Sequence, residues 1–134
     1  MNKRIFLLIL LAASFILLQT ALGQTKQKWV APESANSLKN PYTGNSTVAN
    51  DVQYLYVRFC APCHGEKGKG DGFASANLGQ RPADHTTSEV QSQSDGVIFW
   101  KLSEGRNPMP AYKLMLTDEK RWALVNYIRT LSKK

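Results

Sequence analysis

A small all-α domain is the fold class this sequence predicts, and three observations carry it. Val52, Leu55, Tyr56 and Phe59 recur at helical spacing, as do Leu124, Tyr127, Ile128 and Leu131 further on. Residues suited to helix starts and stops bracket the apolar run Val97, Ile98, Phe99 and Trp100. Glycine-rich and polar stretches separate these segments, and the strand-helix alternation of a βαβ unit does not appear.

The elements follow in chain order. Lys3 and Arg4 precede an apolar run from Ile5 to Leu18, and Ala21 and Gly23 are the small residues of a cleavage site, so residues 1–23 read as a signal peptide cut before Gln24. The rival reading is an uncleaved membrane anchor, but the 14-residue run is shorter than the ~20 residues needed to span a bilayer. The expected location is periplasmic. Cleavage leaves 111 residues, one small domain that buries only about two-thirds of its unfolded surface and gains from a bound cofactor. Removing Lys3 and Arg4 from the 17 basic residues leaves a net charge of +5 against the 10 acidic ones. No dense basic run precedes the Lys133-Lys134 tail, so a nucleic-acid partner is not expected.

Residues 24–49 are polar and broken by Pro32, Pro41 and Gly44, which predicts an N-terminal arm wrapped over the domain with at most one short helix between Glu33 and Lys39. The main domain is expected over residues 50–134. Its first helix runs over Asp51 to Cys60, with a strand as the competing reading because Val, Tyr and Phe are strand-prone. GEKGKGDG, with four glycines in eight residues, is a loop. ADHTTSEVQSQ is a second low-complexity polar stretch. Thr117 caps the last helix, where Asp118 and Glu119 in the first turn and lysines at the end suit the helix dipole.

The only two cysteines lie in FCAPCHG, with His64 directly after Cys63. Three chemistries compete for this spacing. A disulfide oxidoreductase would open a long helix at the first cysteine to lower its pKa, but glycines begin at Gly65. A structural zinc site needs four converging ligands, and Cys60, Cys63, His64 and His85 would be the whole supply. Covalent attachment of a c-type haem uses all three motif residues: both thiols on one helical turn add to the haem vinyl groups, and His64 binds the iron.

CAPCHG, with NPMP at Asn107 to Pro110 and WALVNYIRTL in the last helix, resembles the bacterial class I monohaem c-type cytochromes from about Tyr56 to Leu131. The resemblance implies a cytochrome c-like domain whose first and last helices cross beside one covalently bound haem c with its iron. Tyr56 and Tyr127 match the family's aromatic pair at that crossing. The family commonly has a glycine eight residues before the first cysteine, where this sequence has Val52.

His64 and Met109 are the expected axial ligands. Pro108 and Pro110 restrict the backbone on both sides of Met109, as suits a rigid ligand loop, and the match of NPMP to the family's distal loop points the same way. Met115 reads as core filler, and His85 as a surface histidine with bis-histidine ligation as the alternative. A carbonyl near Pro82 is expected to accept the bond from the second ring nitrogen of His64. Trp100 and Tyr112 read either as haem neighbours or as plain core. With both axial positions filled, the expected function is one-electron transfer, free or as the haem subunit of a respiratory or dehydrogenase complex, and not catalysis. A peroxidase-like enzyme with a labile Met109 is the competing class. Redox proteins are the expected partners, with membrane contact only through them or through an uncleaved signal segment.

Overall fold

The computed structural model describes residues 2–4, 28–43 and 52–132. Met1 and residues 5–27, 44–51 and 133–134 lie outside these residues, and with them the apolar run of the signal segment, both ends of the early arm and Asp51. The chain divides into two compact units, Met1–Val30 and Ala31–Lys134. Of the first, residues 2–4 and 28–30 are described. The second unit carries everything below.

Among its described residues there are five α-helices: α1 (Val52–Phe59), α2 (Ala61–His64), α3 (Ser88–Gln91), α4 (Asp95–Glu104) and α5 (Asp118–Leu131). Among the described residues the only β pairing is the isolated bridge between Arg106 and Met109. The strand alternative for this segment is therefore resolved as helix over Val52–Phe59. A single turn of 3-10 helix, Tyr112–Leu114, precedes α5.

Local chemistry sets the helix ends. The Ser94 hydroxyl accepts from the Val97 N–H at 3.2 Å, and the Thr117 hydroxyl accepts from the Lys120 N–H at 3.4 Å, each satisfying an otherwise orphaned donor. Gly65 ends α2 with φ of 78°, and Gly105 ends α4 with φ of 63° and ψ of 174°, conformations that disfavour side chains.

The core forms where α1 and α4 pack against α5. Leu124 and Val125 are fully buried, with Ile128 and Leu131 1% exposed, so the expected stripe does face inward. Tyr127 completes it from the half-buried edge, its ring centroid 4.9 Å from that of Tyr56 on α1. Val52 is buried in this core, so the helix pair accommodates a branched side chain where the family commonly has glycine. Phe99 on α4 stacks on Trp122 of α5 at 3.9 Å, and the buried Arg121 guanidinium lies over the Phe99 ring, 4.7 Å from its centroid, bonded to the Ser103 hydroxyl and Asp118.

The described part of the polar arm within this unit contains a 3-10 helix, Glu33–Ser37, that packs on α4 with Ala35 buried. Asn40 donates to Asp95 at 3.0 Å and to Asn126 at 2.7 Å, while Asn126 donates to the Tyr42 carbonyl at 2.9 Å. Arg129 completes the cluster by donating to Asp95 at 2.9 Å.

One expectation is corrected in this region. Met115, three residues before α5 begins, is 53% exposed, so it fills no core. The low-complexity stretch ADHTTSEVQSQ carries a turn and the helix α3. Asp84 accepts from both the N–H and the hydroxyl of Thr86 at 2.8 and 2.7 Å, forming a turn that leads into α3, and Gln91 then ties α3 to the Ile128 carbonyl of α5 at 3.0 Å.

Candidate functional site

Cys60, Cys63 and His64 occupy one turn. The Cys60 N–H donates to the Tyr56 carbonyl at 2.8 Å, which continues α1, and the His64 N–H donates to the Cys60 carbonyl at 2.8 Å. Pro62 sits in the first turn of α2, where its missing N–H costs nothing. The glycine-rich loop folds back on the motif: Gly70 donates to the His64 carbonyl at 2.7 Å, Gly72 to that of Cys63 at 3.1 Å and Ala74 to that of Pro62 at 2.9 Å. Both cysteines are free thiols, Cys60 buried and Cys63 half-buried.

Arg81 reaches the Lys69 carbonyl at 3.0 Å and draws the segment 81–85 alongside this loop. The Ala83 carbonyl then lies 2.9 Å from Nδ1 of His64. Only an N–H can face a carbonyl oxygen, so Nδ1 carries the proton and Nε2 keeps its lone pair. Burial lowers the pKa of His64 below the ordinary histidine value, with the Ala83 bond acting the other way. The neutral ring is the form that binds a metal.

His85 was expected at the surface, and the structure buries it. Its N–H donates to the Gly68 carbonyl at 2.7 Å and its ring lies 3.0 Å, through Nδ1, from the Tyr56 hydroxyl. Burial, aided by His64, pushes its pKa down to about 3 against the opposing effect of Asp84. The polar stretch hid this because the partners are far off in sequence. Nothing in RPADHTT alone signals that Tyr56 has a hydroxyl to offer.

Met109 stands apart from the motif in sequence, on the loop between α4 and the Tyr112 turn. It is half-buried against the core. Its N–H donates to the Arg106 carbonyl at 2.8 Å and its carbonyl accepts from the Arg106 N–H at 3.0 Å, a closed pair that holds the loop. Immediately after, Tyr112 is buried and donates from its hydroxyl to the Phe59 carbonyl at 2.7 Å, tying the methionine loop to the residue before Cys60. The hydroxyl is thus taken by backbone. Trp100 is half-buried on α4.

The thiol chemistry discriminates between readings of the motif. Burial, with a smaller contribution from Cys63, pushes the Cys60 thiol up to about 12, the opposite of an activated redox cysteine. The helix that follows it is a single turn. Among the described residues no three His, Cys, Asp or Glu side chains are grouped to hold a bare metal ion. Two free thiols and a neutral imidazole on one turn, that imidazole presenting Nε2, match the donor chemistry of a covalently attached haem.

Comparison with known proteins agrees. Residues 47–128 match the family model described as cytochrome c oxidase, cbb3-type, subunit III. The chain is 36% identical over 88 residues to cytochrome c-553 of Helicobacter pylori strain ATCC 700392 / 26695, and 38% identical over 88 residues to that of strain J99 / ATCC 700824. Each alignment covers 65% of this chain and 84% of the relative. Helical architecture, the CxxCH turn and these likenesses converge: the chain belongs to the monohaem c-type cytochrome family, whose cofactor is a covalently bound haem c with its iron.

Proposed function

We propose that this protein is a periplasmic one-electron carrier in which Cys60 and Cys63 form the thioethers and His64 and Met109 the axial ligands, working free or as the haem subunit of a respiratory or dehydrogenase complex. The observation that carries the reading is the Ala83 carbonyl 2.9 Å from Nδ1 of His64, because it dedicates Nε2 to the metal and makes the imidazole a stronger donor.

When bound, the haem supplies an iron that changes oxidation state by one electron. The chain's residues do the rest. The free Cys60 and Cys63 thiols offer S–H groups for addition across two vinyl groups, which would tether the group without any further fold contact. Met109, held by its paired bonds to Arg106, offers a neutral, soft sulfur that favours the reduced metal and so raises the potential. The buried aromatic core of Tyr56, Tyr112, Phe99 and Trp122 keeps water from the interior.

His85 does not fit the bis-histidine alternative. Its ring stacks on that of His64 with centroids 4.2 Å apart and planes 21° apart, so it lies against the face of that imidazole instead of opposite its Nε2. A ligand to the far side of the same iron has to stand opposite.

Met109→Ala tests the reading. The variant should keep its covalent haem, lose the weak red charge-transfer band of methionine-bound ferric haem, and show a lowered potential. An unchanged ferric spectrum in Met109→Ala would remove Met109 from the site, and haem extractable by acid-acetone from the unaltered protein would remove the thioethers.

A further inference from the structure

Tyr56 and His85 form a buried polar pair that the electron-carrier reading does not use. The pair is made across the fold: Tyr56 comes from the middle of α1, and His85 from the turn that also carries the Ala83 carbonyl. Both residues lie within the interior, Tyr56 fully buried and His85 8% exposed. Burying a phenol and an imidazole among apolar side chains costs free energy unless they satisfy each other, and a leucine or phenylalanine at 85 would fill the space with no such demand.

The arrangement holds His85 by both of its backbone polar groups and by one ring nitrogen. Its backbone N–H is bound to Gly68, its carbonyl accepts from the Gln91 side chain at 2.6 Å, and its Nδ1 is bound to the Tyr56 hydroxyl at 3.0 Å. Burial raises the pKa of Tyr56 above the ordinary tyrosine value, so the phenol keeps its proton, and the 3.0 Å bond joins it to Nδ1 of the His85 ring in either tautomer. What the held ring then does is lie nearly flat on His64, at 4.2 Å and 21°.

The Ala83 bond alone leaves His64 one freedom. A hydrogen bond at a single ring atom fixes the tautomer and the direction of Nε2, but it permits the imidazole plane to swivel about that direction. A flat neighbour against the ring face removes the swivel. We propose that His85, anchored by Tyr56, is a positioning residue that sets the plane of the His64 imidazole, and with it the orientation of the proximal ligand over the haem. The proposal rests on His64 being that ligand.

The test uses the full-length, haem-loaded protein in the ferric state. The proton NMR resonances of the four haem methyl groups are spread and ordered by the orientation of the axial ligand planes, a property that folding stability alone does not move. His85→Leu, which removes the flat face at similar volume, should reorder these four resonances while the haem stays covalently bound and histidine-ligated. His85→Phe, which keeps a flat ring, should return the order toward that of the unaltered protein. Tyr56→Phe, which deletes one oxygen and leaves the apolar contacts of the ring, should move the resonances in the same sense as His85→Leu and by less.

Unmoved resonances in both His85→Leu and Tyr56→Phe overturn the proposal, and so does equal reordering in His85→Leu and His85→Phe, since a flat face would then carry nothing. If His85→Leu does not accumulate, Tyr56→Phe decides alone: a moved pattern supports the role and an unmoved one overturns it. Absence of histidine ligation in the unaltered protein would overturn the site reading together with this one. Normal ligation with unmoved variants overturns this one only.

Discussion

Gly105→Ala should displace Met109 without touching it. Gly105 closes α4 at φ 63° and ψ 174°, a region populated almost only by glycine, and forcing alanine there costs ~1–3 kcal/mol. The added methyl would also stand 2.5 Å from the carbonyl carbon and oxygen of Pro110 and 2.6 Å from the nitrogen of Ala111. These are backbone atoms, so the segment after Met109 has to shift, at a further ~1–3 kcal/mol typical of overpacking. Alanine restricts the unfolded chain and returns ~0.4–1 kcal/mol. The net destabilisation is about 1–5 kcal/mol, a fall in urea midpoint of about 0.5–2.5 M for an m-value of ~2 kcal/mol/M. Because Pro110 adjoins Met109, the red charge-transfer band should weaken in parallel. The assay is urea unfolding of the haem-loaded protein with the ferric spectrum recorded at each step. Gly79→Ala is the control: nothing lies within 4 Å of its added methyl, and the variant should keep both midpoint and band. A Gly105→Ala protein with both properties unchanged would refute the reasoning.

Leu124→Ala, at a fully buried position in the centre of α5, should cost ~2–5 kcal/mol in chemical unfolding, whereas Met115→Ala, at a position 53% exposed, should stay within ~0.5 kcal/mol and leave the haem spectrum alone. Equal losses in the two would contradict the burial pattern. The N–H and hydroxyl of Thr86 hold the Asp84 carboxyl below the usual carboxylate range. Its stabilising effect is therefore fully present above the ordinary pKa of ~3.9 and lost as pH falls through the lower folded value. The stability difference between the unaltered protein and Asp84→Asn should accordingly shrink as pH falls below the ordinary carboxylate pKa of ~3.9, and a difference that stays constant on acidification would show that the carboxylate contributes nothing through these bonds.

What could be read from sequence was set by neighbours along the chain. The CAPCH turn needs only the helical spacing of Cys60 and Cys63 and the adjacency of His64, and it forms within one turn. The Ser94 and Thr117 caps satisfy donors three residues away, and the apolar stripe of α5 follows from a period of about 3.6 residues. Even the helix assignment of residues 52–59, ambiguous by composition, follows the same periodicity.

Tertiary packing decided the rest, because the partners are separated by loop closures that no local rule encodes. Sequence placed the acceptor for His64 near Pro82, but only the path of the loop past Arg81 brings the Ala83 carbonyl, 19 residues on, to Nδ1. His85 reads as a surface residue in a polar stretch until α1 supplies the Tyr56 hydroxyl from 29 residues away, which makes its burial affordable. Met115 reads as apolar filler until the start of α5 at Asp118 leaves it on the outside. Tyr112 reads equally as core or haem neighbour until its hydroxyl meets the Phe59 carbonyl 53 residues earlier. In each case the residue's chemistry was visible in the sequence. Its partner was chosen by the way the helices pack, since a buried polar group goes wherever the fold brings a complementary one.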